Sequence, residues 1–144
     1  MSFIVLCIGN PKGGDDAVGP YIADKLKKTD IDTIHCGTTP ENYTSVVKKK
    51  NPEKLIIIDA VDMGLIPGEI RIIPKEKIGV MTISTHGIPI SLLIDYLGKT
   101  IKEIILIGIQ PERMSGEMSK SVLESADKLT EIIRRKELEK IEKI

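Results

Sequence analysis

Two apolar patterns alternate along the chain. Short unbroken runs stand at Phe3 to Ile8 (FIVLCI), Leu55 to Asp59 (LIIID) and Glu103 to Ile109 (EIILIGI). Runs this short and rich in β-branched residues read as strands covered on both faces. Between them, apolar residues recur every three or four positions. Val18, Ile22 and Leu26, with Ala23 beside them, predict a helix over Val18 to Lys28 with one stripe facing a sheet. Val122, Ala126, Leu129 and Ile133 predict a long final helix, with Ser119 or Ser121 available as its cap. Ile31 to Cys36 reads as a shorter strand and Glu41 to Lys50 as a helix that Asn51-Pro52 ends. Glu69 to Ile73 alternates into an edge strand after the Pro67-Gly68 turn. Pro74 and the Lys75-Glu76-Lys77 cluster read as exposed loop. A helix near Pro89 to Leu97 is expected to use Leu92, Leu93 and Tyr96 as its apolar face. Arg113 to Met118 reads as a mobile loop, and the tail from Arg134 as a solvated, frayed helix end.

This alternation predicts an α/β fold in three layers: a mostly parallel, twisted sheet of about five strands, helices on both faces and one antiparallel edge strand. No repeat or linker divides it, so residues 1–144 are expected to form one domain.

Composition narrows the partners. Hydrophobic content is 41%, charged content 29% and formal net charge +0, which favours neither nucleic acid nor an anionic membrane. No apolar run approaches the roughly 20 residues that span a bilayer. The first strand begins at once, leaving no room for a signal peptide, so the expected location is the cytoplasm. Cys7 and Cys36 are too few and too far apart for a zinc ribbon, and read as buried thiols.

The chemistry gathers where strands end. The first strand breaks at Gly9-Asn10-Pro11, turns through Gly13-Gly14 and meets Asp15-Asp16. The LIIID strand stops on Asp59, and Ser84-Thr85-His86-Gly87 precedes a helix. Sites in open α/β sheets form outside the carboxyl ends of the strands. Asp16, Asp59 and His86 offer carboxylate oxygen and imidazole nitrogen, a donor set suited to zinc, nickel, iron or manganese. Each also has an ordinary structural use. The acids can cap helices or bond local amides, and His86 can be a polar helix-entry residue. Of the adjacent pair, Asp15 is assigned to capping its own helix and Asp16 to the crevice, because neighbouring helical side chains do not share a face. No GxGxxG or Walker A pattern supports nucleotide binding. Neither serine nor cysteine reads as an activated nucleophile.

The segments IGNPKGGDDAVGP, IDAVDMGLIPGEIRII, STHGIPISLLIDYL and IILIGIQPE resemble those of the hydrogenase maturation endopeptidases. The branch serving formate-hydrogenlyase-type and related membrane-bound hydrogenases is the most similar. The resemblance covers Phe3 to about Leu129. It implies an endopeptidase that removes the C-terminal extension of a nickel-loaded hydrogenase large-subunit precursor. It also implies that Asp16, Asp59 and His86 form the metal-binding and catalytic site. The nickel would come with the substrate, zinc or another divalent ion could act as a surrogate, and the enzyme would be a monomer. A nickel-binding chaperone of the same fold without peptidase activity, or a small-molecule hydrolase or nucleotide binder on a similar sheet, are the alternative readings. One departure stands out. Where the family usually carries Asp followed by two glycines, this chain has His35-Cys36-Gly37-Thr38, which bears on substrate preference rather than on fold. His35 itself is expected to be an exposed strand-end residue.

Overall fold

A computed structural model of the chain describes residues 2–78 and 89–144. Five strands form one sheet: β1 (Phe3–Cys7), β2 (Asp32–His35), β3 (Lys54–Ala60), β4 (Ile70–Ile73) and β5 (Glu103–Ile109). Their order is β2-β1-β3-β5-β4. The β1–β2, β1–β3 and β3–β5 pairs are parallel, and β4 runs antiparallel to β5. The predicted sheet class and its antiparallel edge are both present.

Helices α1 (Val18–Leu26), α2 (Thr44–Lys50), α4 (Ile90–Leu97) and α5 (Lys120–Arg134) cover the faces, with a single turn α3 (Lys75–Ile78) after β4. The strand pleat sorts the core into two halves. Val5, Cys7, Ile56, Ile58, Ile107 and Ile109 face α1 and α5, where Val18, Ile22, Leu26, Val122, Ala126, Leu129 and Ile133 are buried. Ile4, Leu6, Ile8, Leu55, Ile57 and Leu106 face the other way, against Val47 of α2 and Leu93, Ile94 and Leu97 of α4. Burying each such side chain contributes about 1.5–3 kcal/mol.

Four local expectations are corrected. Lys75, Glu76 and Lys77 are exposed as expected, but they belong to a helical turn, Lys75–Ile78, that buries Ile78 and is held by Lys77 N–H donating to Pro74 O at 2.9 Å. In α4 the buried face is Ile90, Leu93, Ile94 and Leu97, while Leu92 and Tyr96 are 57% and 46% exposed. Segment 113–118 is tied to the first loop, as detailed below. The tail does not end in solvent. Ile141 is buried, Ile72 N–H donates to Glu142 O at 2.8 Å, and Ile144 N–H donates to Ile72 O at 3.1 Å. The last residues therefore pair with the outer edge of β4.

Candidate functional site

The strand order places the topological switch between β1 and β3, because the chain runs from β1 outward to β2 and then crosses back to β3. Such a switch opens a crevice at the carboxyl ends of the two strands. Asp16 lies in a 3-10 turn, Gly14–Ala17, directly after β1, and Asp59 is the penultimate residue of β3. Both carboxylates are buried, at 3% and 1% exposure, and the 3-10 turn packs against β3. His86, the third predicted site residue, lies outside the described residues, as does the segment 84–87. Among the described residues no group of three or more His, Cys, Asp or Glu side chains is arranged to hold a metal ion.

The loop after β1 is shaped by glycine. Gly9 adopts φ +153°, and a Cβ there would meet Asp16 O at 2.0 Å. Only glycine lets the Asp16 backbone pass this close to the end of β1. Gly9 N–H donates to Gly37 O at 2.8 Å, which joins the β1 loop to the loop after β2. Asp16 Oδ2 accepts from Asn10 N–H at 2.8 Å, and Asp16 N–H donates to Gly13 O at 3.1 Å.

Asp15 behaves differently from the expected helix cap. Its carboxylate is bonded by Glu112, Arg113 and Ser119 rather than by its own turn. Its carboxylate reaches across the chain to the N-terminus of α5, where Ser119 N–H donates to Oδ1 at 2.6 Å. Ser119 holds the cap position of α5, but its hydroxyl also bonds Asp15 and makes no cap bond to the helix. Burial pushes the Asp15 carboxyl up, yet the backbone and hydroxyl donors around it outweigh burial and hold it below its ordinary value.

Two further groups at this end of the sheet were not singled out from the sequence. Gln110, 6% exposed, ties the loop after β3 to the end of β5. Asp62, exposed beside it, is held below its ordinary carboxyl value by the Gln110 amide and then the Gly64 N–H. The signal for Gln110 was a polar residue closing an apolar strand just before Pro111.

The segment His35-Cys36 lies at the same end, where β2 stops. Cys36 is buried, its thiol donates to Cys7 O at 3.1 Å, and its Sγ–H is pushed up to about 12 by burial and then by the charge of Asp59. Burial first, and then Cys36, also push Cys7 up. Neither thiol is an available nucleophile at neutral pH. His35 is half-buried rather than exposed, and its Nε2 is enclosed with no hydrogen-bond partner among the described residues.

Known proteins resemble this chain in sequence and fold. A family model described as hydrogenase maturation protease (HycI) matches residues 18–136. The chain is 43% identical over 116 residues to the hydrogenase 3 maturation protease of Escherichia coli K12, covering 78% of this chain and 74% of that protein. The solution structure of the endopeptidase HycI from Escherichia coli superposes with TM-score 0.85 at 36% identity, covering 91% of this chain and 88% of that one. The crystal structure of the nickel–iron hydrogenase maturation protease HycI from Thermococcus kodakarensis KOD1 superposes with TM-score 0.80 at 30% identity, covering 93% and 90%. Together with a doubly covered sheet whose switch point is flanked by buried acids, these matches show that the chain belongs to the hydrogenase maturation protease family and is a protease.

Proposed function

We propose that the chain removes the C-terminal extension of a nickel-loaded hydrogenase large-subunit precursor. The observation that carries this reading is the burial of two carboxylates, Asp16 and Asp59, on either side of the β1–β3 switch. Two carboxylates brought to one crevice supply the oxygen donors that a cation would use. Asp16, Asp59 and His86 would hold the ion, which polarises the scissile carbonyl or a water when bound. The donor set is oxygen and nitrogen without sulfur, a weak resting site for nickel. Thiolates of the precursor complete the coordination, so the metal arrives with the substrate, and zinc or another divalent ion is a surrogate in its absence.

The chain's own residues orient and enclose. Gly9 and Asn10 fix Asp16 at the mouth of the crevice, and the end of β3 fixes Asp59. The half-buried His35 and the thiol of Cys36 alter the wall where the family usually has Asp and Gly, and we assign to them the choice among precursors. Among the described residues no helix is long and apolar enough to cross a membrane, which suits a precursor met outside the bilayer.

The test is incubation of the protein, as a monomer, with nickel-loaded and nickel-free precursor, followed by intact mass. Loss of one C-terminal fragment from the nickel-loaded form alone is expected. Equal cleavage of both forms overturns the docking role of nickel, and binding without cleavage returns the chaperone reading.

A further inference from the structure

One residue before Asp16, a buried side chain grips a distant part of the chain. Asp15 is 0% exposed. Its Oδ2 accepts from Glu112 N–H at 2.7 Å and from Arg113 N–H at 3.0 Å. Its Oδ1 accepts from Ser119 N–H at 2.6 Å, and the Ser119 hydroxyl stands 2.9 Å from each oxygen. The grip is returned, since Asp15 N–H donates to Arg113 O at 2.9 Å. Gly14, at φ +64°, permits the approach: a Cβ there would lie 2.6 Å from Ser115 N and 2.7 Å from Ser115 O.

We propose that Asp15 is a positioning residue for Asp16, and that segment 112–119 is the anchor it uses. The inference rests on the role proposed for Asp16 above. Asp15 and Asp16 share one 3-10 turn of four residues, so fixing the N–H and carboxylate of the first also fixes where the backbone presents the second. On its other side Asp16 N–H donates to Gly13 O at 3.1 Å, and Asp16 Oδ2 accepts from the Asn10 N–H at 2.8 Å. Asp16 is thereby aimed by two independent constraints, one local and one reaching about a hundred residues along the chain. A functional side chain needs such outer support to hold its geometry to a fraction of an ångström. A carboxylate that bonds the Ser119 N–H at the start of α5 also suits the N-terminus of a helix, and that alone would be a purely structural role.

The experiment separates the two. Wild type, Asp15→Asn and Ser119→Ala are compared by melting temperature and by zinc and cobalt titration. Two readouts are added: the visible absorption of bound cobalt, and kcat and KM on nickel-loaded precursor. All binding and kinetics are measured below every melting transition. A positioning role predicts that Asp15→Asn weakens metal binding ~10–100-fold, the range seen when outer-shell partners of metal ligands are removed. It also predicts an altered cobalt spectrum and a fall in kcat larger than any rise in KM. Ser119→Ala moves the same readouts in the same direction by less. A variant that melts lower yet keeps wild-type affinity, spectrum and kcat overturns the positioning role. If Asp15→Asn does not fold, Ser119→Ala decides by the same criterion. Wild type that binds neither ion and does not process precursor defeats the reading of the site, and the positioning role with it. Wild type that does both, beside variants that match it, defeats the positioning role alone.

Discussion

Gln110 Nε2 donates to Asp62 Oδ1 at 3.1 Å while Gln110 Oε1 accepts from the backbone N–H groups of Met63 and Leu65, at 2.6 and 3.2 Å. One buried amide therefore sets the path of the chain as it leaves β3, just beyond Asp59. Gln110→Ala strands two backbone donors and frees that loop. A cost of about 1–3 kcal/mol is expected in urea denaturation, from donors left without an acceptor. Gln110→Glu keeps the acceptor but replaces the amide donor with a second negative oxygen facing Asp62. Its loss of stability relative to wild type is expected to be larger at pH 7 than at pH 4, where the new carboxyl is partly protonated.

Replacing the crevice acids separates stability from chemistry. Asp16→Asn and Asp59→Asn each remove a buried charge while keeping the shape. Melting temperature is expected to stay level or rise, and precursor cleavage to fall to background, because an amide is a poor metal ligand and no base. Full processing by either variant, checked by intact mass, removes that residue from the site.

The acid response follows from Asp15. Its folded-state carboxyl titrates below the ordinary value. The stabilisation it supplies is complete above the unfolded-state value and is lost as pH falls through the folded one. Asp15→Asn lacks this contribution at every pH. The stability gap between wild type and Asp15→Asn should therefore be widest near neutrality and shrink on acidification. A gap that widens toward low pH contradicts the hydrogen-bond account.

The thiols should be silent until the fold opens. Cys36 is held up at about 12 and Cys7 is raised as well. Iodoacetamide at pH 8 is expected to label neither in the native protein and both in denaturant. Asp59→Asn removes the negative charge beside Cys36, so the Cys36 thiol should then titrate lower than in wild type. An unchanged titration would show that burial alone holds it.

Most of the sheet was legible because its evidence is local. Glu103–Ile109 is a strand over the stretch its apolar run marks, and β3 extends LIIID by one residue at each end. Asp59 was legible as an acid that interrupts an apolar strand at its end, and Asp16 as an acid that follows the glycine turn after β1, whereas His86 lies outside the described residues. Asp15 was misread because its partners lie near positions 112 to 119, and a local reading offers a nearby helix instead. The α4 face was misassigned because ISLLIDYL is apolar at most positions, so spacing alone does not choose between Leu92 with Tyr96 and Ile90 with Ile94. Gln110 was overlooked for the same reason as Asp15: its value lies in a loop some 45 residues earlier in the chain.

The pairing of Glu142 and Ile144 with Ile72 gives the last residues a second importance. The outer side of β4 would otherwise present free N–H and C=O groups to any extended peptide, the ordinary template for strand-by-strand polymerisation. A truncation before Ile141 should therefore show itself first in light scattering, as concentration-dependent self-association, while the circular dichroism of each molecule remains nearly native.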